Sequence, residues 1–244
     1  MSENKLISVI IPCFQQAATI VKDLKRIQAV LSQIRYPFEM IVVVDGRLDR
    51  TFQKAKTLSS PQLKVYLIKT HQGKGYTVRF GMSKAKGDYI AFIDAGMEID
   101  PNGISMLLEH LEWYNADIIV GSKRHLASVV KYPLDRKILS WGYYMLVRLL
   151  FGVKIKDTQP GIKIFKRRVL EKILPKLVVK NYAFDIEMLS VARRKGFKRI
   201  YEAPIKLKYR FGSVTNAATL NTIWHMLYDT IAVFYRLKIL KYYD

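Results

Sequence analysis

The chain has 244 residues, half of them hydrophobic, enough for one large domain or two small ones around a substantial core. Its one cysteine, Cys13, excludes an intrachain disulfide and a cysteine metal cluster, and reads as a small core residue. With 41 Lys and Arg against 20 Asp and Glu, the formal charge of +21 points to an anionic partner: nucleic acid, anionic lipid or a phosphorylated substrate.

The first residues, Met-Ser-Glu-Asn-Lys, lack the apolar stretch of a signal peptide, so a cytosolic protein is expected. Apolar runs predict strands at Leu6–Ile11, Met40–Val44, Val65–Ile68, Tyr89–Ile93 and Ile118–Val120. Helical faces lie between them, at Ile20, Leu24, Ile27, Val30 and Leu31, and again at Ile104, Leu107, Leu108 and Leu111. Alternating strands and helices imply βαβ units and a parallel, Rossmann-like sheet. No Gly-x-Gly-x-x-Gly follows the first strand and no Gly-Lys-Ser/Thr loop occurs, which disfavours a dehydrogenase or a P-loop ATPase. Gly73-Lys74-Gly75 is a weaker signal, either a helix N-terminus near phosphate or a simple turn.

After Gly121 the pattern changes. Residues 122–137 read as a basic loop, followed by a strand at Ile162–Phe165, a helix at Ala183–Lys195, a strand near Ile205–Leu207 and a C-terminal helix over 217–238. No apolar run reaches the ~18 residues of a membrane span. Ile138–Val153 and the tail from Ile223 mix Trp or Tyr with Leu and basic residues, as interfacial helices do. The alternative for each is a core helix. With the positive charge, the pair predicts a peripheral membrane protein.

Asp88 to Pro101 carries the chemistry. A buried strand, Tyr89–Ile93, empties into Asp94, Glu98 and Asp100, at the edge where open α/β sheets bind ligands. Asp94 suits a hard divalent cation. Asp100 reads as a helix cap, with Pro101 at the first helical position.

Several blocks then resemble the family-two glycosyltransferases, which have the GT-A fold. They are Ser8-Val-Ile-Ile-Pro12-Cys-Phe14, Val42-Val-Val-Asp45-Gly46-Arg-Leu-Asp49-Arg-Thr51, Gly73-Lys74-Gly75 and Ile93-Asp94-Ala95. Gly121-Ser122-Lys123-Arg124-His125, Asp157-Thr158-Gln159-Pro-Gly161-Ile-Lys163-Ile-Phe165, Phe184-Asp185-Ile186-Glu187 and Phe211-Gly212-Ser213 resemble a narrower group. That group is the polyprenyl-phosphate sugar synthases, including the dolichyl-phosphate β-glucosyltransferases and dolichol-phosphate mannosyltransferases.

The resemblance implies one GT-A domain: a nucleotide-sugar-binding half (1–121), an acceptor-binding half (122–215) and a C-terminal interfacial helix (216–244). It implies transfer of a hexose, with UDP-glucose the favoured donor, to a polyprenyl phosphate at the cytoplasmic face of a membrane, with inversion. Pro12, Phe14, Gln16, Asp45, Lys74, Asp94 and Ala95 fall to the donor, with Asp45 accepting hydrogen bonds from the base. Asp94 and Glu98 would hold Mg²⁺ or Mn²⁺. Lys123, Arg124, Arg136 and Ser140 fall to the acceptor phosphate, and Asp157, Gln159, Glu187 and Ser213 to sugar or acceptor positioning.

A phosphate monoester is already anionic and attacks without a strong base, so positioning and charge stabilisation carry the rate. Asp185 either orients the sugar or serves as base for a hydroxyl acceptor. Three positions depart from the family pattern. Gly96 replaces the second Asp of Asp-x-Asp, leaving Glu98 as substitute; Gln15-Gln16 replaces Asn-Glu; Val44 replaces the first Asp of Asp-Asp. Three other readings stand beside the transferase: a saccharide-hydroxyl acceptor, a degenerate GT-A binding protein, and a nucleic-acid binder. Charge alone supports the last, with no reading helix or stacking array, so no nucleic-acid partner is expected. A membrane-anchoring partner subunit is a further candidate.

Overall fold

The computed structural model describes residues 5–130, 134–207 and 220–244, and the side chains of 134–139 and 220–221 lie outside that description. The strands in chain order are β1 (Ile7–Cys13), β2 (Phe38–Asp45), β3 (Leu63–Ile68), β4 (Tyr89–Ile93), β5 (Ile118–Ser122), β6 (Val129–Val130), β7 (Ile162–Lys166), β8 (Ile200–Pro204) and β9 (Lys206–Leu207). The helices are α1 (Ile20–Leu31), α2 (Thr51–Lys56), α3 (Lys74–Lys84), α4 (Gly103–Trp113), α5 (Leu134–Phe151), α6 (Arg167–Ile173), α7 (Phe184–Arg194) and α8 (Leu220–Phe234). A π-helical turn, Tyr235–Ile239, extends α8.

The main sheet runs β3-β2-β1-β4-β7-β5-β8, with β7 antiparallel to both neighbours and the other pairs parallel. Its central strands are apolar throughout because helices cover both faces. In β2, Ile41 and Val43 pack toward α3 and α7, while Met40, Val42 and Val44 pack toward α1 and α4. This two-sided burial explains why these segments read as continuous apolar runs.

The order has one switch point. From β1 the chain moves outward to β2 and β3, then returns to β4 on the other side of β1. The β1–β4 ladder stops at Ile10–Phe92, whereas β1–β2 continues to Cys13–Val44. Pro12, with no N–H to donate, lies beyond the point where pairing to β4 has ended. The two strands therefore part at their C-terminal ends, where a ligand crevice forms in such sheets.

Four local expectations change. Residues 200–204, for which the sequence predicts no element, form the edge strand β8; only Ala203 there is fully buried, and an edge needs no long apolar run. Lys206–Leu207 pairs instead with β6 in a separate two-stranded ribbon. The region 122–137 is not all loop, since α5 begins at Leu134. Helix α4 begins at Gly103 with Asn102 at its N-cap, so Asp100 is not the cap. Asp100 accepts hydrogen bonds from the Asn102 N–H (3.1 Å) and side-chain amide (2.8 Å), forming a turn ahead of the helix, and pairs with Arg26 at 3.1 Å.

Each predicted interfacial segment proves to have two faces. Helix α5 buries Tyr143, Val147 and Phe151 and exposes Trp141, Met145 and Leu149. In α8 and its extension Thr230, Val233 and Leu237 are buried, while Trp224, Tyr228, Ile231 and Tyr235 face outward. Tyr143 Oη and Thr230 Oγ1, 3.1 Å apart, join the two helices. Among the described residues no helix is long and apolar enough to cross a membrane.

Candidate active site

β1, β2, β4 and β5 end on one edge of the sheet, and antiparallel β7 begins there. Asp94 directly follows β4, and its side chain is 42% exposed. Its N–H donates to the Gly161 carbonyl at 2.9 Å, and a Cβ at Gly161 would lie 1.9 Å from Asp94 Oδ2. Only glycine at 161 leaves room for this carboxylate. Lys74 Nζ donates to Asp94 Oδ2 at 2.7 Å, while Oδ1 is buried without a hydrogen-bond partner. Burial works against the Lys74 ammonium, but Asp94 and Asp185 outweigh it and raise its pKa.

Lys74 opens α3, and the turn before it is built by Asp45. Asp45 Oδ1 accepts the Gln72 N–H (2.8 Å) and Oδ2 accepts the Gly73 N–H (2.9 Å), with His71 Nδ1 also 2.9 Å away. Gly73 has φ +97°, and a Cβ there would strike the Lys180 carbonyl at 2.6 Å. Asp45 is thus buried, and both its oxygens already accept backbone N–H groups. It shapes the turn that leads into α3, a task in addition to the one expected of it toward a nucleobase. Asp49 and Thr51 act similarly one loop away, accepting the N–H groups of Ala17 (3.0 Å) and Gln16 (2.8 Å). Gln16 Oε1 accepts the Thr19 hydroxyl. Phe14 lies against His71, ring centroids 4.5 Å apart, and Ala95 is buried behind Asp94.

Asp185 and Lys163 lie beneath this edge. Lys163 is wholly buried, with Nζ 2.5 Å from Asp185 Oδ1, 2.9 Å from the Pro160 carbonyl and over the Phe92 ring. Burial pushes the Asp185 carboxyl up and the Lys163 ammonium down, each against the pull of the other. Lys163 was missed as a site residue. Its signal was a lysine facing inward within the apolar strand Ile-Lys-Ile-Phe, a position that demands a buried acid.

Glu187, expected to position sugar or acceptor, is closed off from solvent. It is fully buried, accepting the Val178 and Val179 N–H groups (3.0 Å each) and the Tyr243 hydroxyl (2.6 Å). The segment it fixes presents the Lys180 carbonyl to the Tyr76 N–H in the first turn of α3. Its role is to hold the floor under Lys74.

Lys123 and Arg124, expected at the acceptor phosphate, follow β5. The Lys123 N–H donates to Asp157 Oδ2 at 3.0 Å, and Asp157 in turn donates its N–H to Glu202 at 3.1 Å. Arg124 donates to Ser140 Oγ at 3.0 Å and lies over the Tyr144 ring. Arg124 and Ser140, 16 residues apart, are thus brought together. Gln159 Nε2 touches Met226 Sδ of α8 at 3.0 Å. The Arg136 side chain and Ser213 lie outside the described residues.

Among the described residues no three Asp, Glu, His or Cys side chains converge into a complete metal cage. Asp94 still fits a cation shared with a diphosphate, because its side chain stays partly exposed on the Oδ2 side and the space beside Gly96 is open. Glu98, half-buried four residues on, is the next acid of the block, while Asp100 is engaged with Arg26 and Asn102. A shallow groove lined by Lys25, Gln28, Phe38 and Gln62 lies at the other end of β2 and brings no such cluster together.

The open, mainly parallel sheet with one reversed strand is shared with glycosyltransferases of the GT-A fold. Glucosyl-3-phosphoglycerate synthase of Mycobacterium tuberculosis, solved with Mn²⁺, uridine diphosphate and phosphoglyceric acid, shares the fold. It superposes with a TM-score of 0.68 at 18% identity, over 95% of this chain and 78% of that one. The family model described as glycosyl transferase family 2 matches residues 8–174, and the chain belongs to that family.

It is similar to dolichyl-phosphate β-glucosyltransferases. The Dictyostelium discoideum protein is 28% identical over 207 residues, 79% of this chain and 63% of that protein. The Saccharomyces cerevisiae protein is 31% identical over 226 residues, 83% of this chain and 67% of that protein. The match thus spans less than two thirds of the Dictyostelium relative's length.

Proposed function

We propose that this domain transfers a hexose, with glucose from UDP-glucose favoured, to the phosphate of a polyprenyl lipid at a membrane surface, with inversion. One observation carries the reading: the 157–161 loop ties the two halves of the site together. Gly161 receives the Asp94 N–H on the donor side, and Asp157 receives the Lys123 N–H on the acceptor side. The names of the similar proteins favour a lipid phosphate acceptor and a glucosyl donor.

Lys74 and the N-terminal end of α3 stand beside Asp94, where a diphosphate finds both an ammonium and a helix end. Asp94, with Glu98, would hold Mg²⁺ or Mn²⁺, which neutralises charge on the departing nucleoside diphosphate. Lys123 and Arg124 supply positive charge to the acceptor phosphate, and Ser140 with Tyr144 fixes the Arg124 guanidinium. Arg136 and Ser213 remain candidates for the same phosphate and the sugar. Asp185, locked by Lys163, is poorly placed to take a proton, which favours an acceptor that needs no base.

The test is release of nucleoside diphosphate by the protein with Mn²⁺, a short polyprenyl phosphate and a panel of nucleotide sugars. Release that requires both the lipid phosphate and Asp94 is the expected result. Gly96, which leaves Asp94 without a neighbouring acid, favours a second reading as a binding domain without turnover. Nucleotide binding with no release from any donor would establish that reading instead.

A further inference from the structure

We propose that Lys74 is the resident counter-ion of Asp94, and that a divalent cation reaches Asp94 only together with a diphosphate that draws the ammonium away. The inference rests on the donor-site reading above and states how that site is loaded.

The carboxylate has one open side. Its backbone is tied to the Gly161 carbonyl, Gly161 packs against it, and Oδ1 is buried. A cation must therefore approach through Oδ2, where Lys74 Nζ already lies at 2.7 Å. An ion arriving alone meets an ammonium held within the same carboxylate's reach and is repelled by it. It also finds few other ligands. Gly96 offers no side chain, and no group of three acids, histidines or cysteines converges among the described residues.

A diphosphate changes both conditions. It supplies the oxygen ligands that hard cations require, and it presents negative charge to the first residue of α3, which is Lys74 itself. The ammonium exchanges a carboxylate for phosphate oxygens, and Asp94 is released to the ion. Cation and diphosphate then bind cooperatively, and the coupling is reciprocal. Lys163 cannot substitute for Lys74, because it is buried on Asp185 and the Pro160 carbonyl.

The experiment follows free Mn²⁺ by electron paramagnetic resonance during titration of the full chain, with and without UDP and with no acceptor or sugar. Wild type, Lys74→Met, Lys74→Arg and the double variant Lys74→Met/Asp94→Asn are compared, with thermal melts as a check on folding. Wild type is expected to bind Mn²⁺ at least about tenfold more tightly with UDP than without it. Lys74→Met is expected to raise nucleotide-free Mn²⁺ affinity by about tenfold and to reduce that coupling to the part that the phosphate oxygens supply as ligands. Lys74→Arg keeps the charge and stays near wild type. The double variant loses the gain, which places the ion on Asp94. Equal nucleotide-free Mn²⁺ affinity in wild type and Lys74→Met, with UDP still bound, would overturn the role of Lys74 alone. A gain that survives in the double variant overturns it too. Failure of wild type to bind UDP at all would overturn the donor-site reading underneath it.

Discussion

The donor side of the molecule and its helical acceptor side handle polar and apolar groups in opposite ways. Around β1, β2 and β4 the apolar residues are buried on both sheet faces, and most acids are spent on backbone. Asp45 builds the turn before α3 and Asp49 pins the loop after β1, whereas the Asp94 side chain stays 42% exposed. In α5 and α8 it is apolar surface that remains unspent. Trp141, Leu149, Trp224 and Tyr228 are 58%, 83%, 71% and 74% exposed, while the opposite faces of the same helices are buried. A water-soluble ligand needs a rigid polar edge, and a lipid substrate needs an exposed apolar one. Under the proposed function, the first surface suits the nucleotide sugar and the second the lipid.

Removing the Asp94 carboxylate is the most damaging way to test this contrast. Asp94→Asn is expected to lower kcat/KM for donor turnover by about 10³-fold, near the upper end for loss of one preorganised electrostatic group, with little change in melting temperature. Cutting beneath the edge affects folding instead. Lys163→Met leaves Asp185 buried and unpaired and should cost about 3 kcal/mol in urea unfolding. A loss near zero would mean that the pair is already neutral.

Restoring the missing acid should sharpen the donor side. A Cβ at Gly96 meets no atom within 4 Å, so Gly96→Asp is expected to fold normally and to tighten Mn²⁺ binding in the presence of UDP by about tenfold.

Acid stability offers a smaller test, away from the site. Burial alone would raise the Asp117 carboxyl, but hydrogen bonds from Arg199 and Arg168 outweigh it and hold it below its ordinary 3.8. A depressed carboxylate stabilises the fold above its unfolded pKa and loses that contribution as pH falls through the folded value. Wild type should therefore lose about 1 kcal/mol from this group below about pH 4. Asp117→Asn, weaker at neutral pH, should show a flatter acid limb in pH-dependent denaturation.

The smallest effect on stability is expected on the other side of the comparison. Replacing Trp141 and Trp224 together by Ser should change unfolding free energy by no more than about 0.5 kcal/mol. Sedimentation with anionic vesicles should nevertheless fall sharply while UDP binding is unchanged. Retained vesicle binding would separate these helices from the lipid.

The sheet was legible in the sequence because strands covered on both faces must be apolar throughout, and all six predicted core strands lie within a residue or two of their observed ends. The edge strand β8 was illegible, since Ile-Tyr-Glu-Ala-Pro buries one residue fully and its pairing comes from β5, 82 residues earlier. Asp94 was legible from its place after a buried strand. The tasks of Asp45 and Glu187 were not, because an acid consumed by backbone N–H groups and one open to a ligand are the same letter.

By itself, the sequence determined the α/β alternation, the acids at one sheet edge, the absent second acid at Gly96 and the surplus of positive charge, all properties of local pattern and composition. Tertiary structure decided which acids remain available. Hydrogen-bond satisfaction depends on neighbours distant in the chain: Gly73 for Asp45, Tyr243 for Glu187, Lys163 for Asp185 and Lys74 for Asp94. Folding brought each pair together, and only in the last did it leave the carboxylate with an open side.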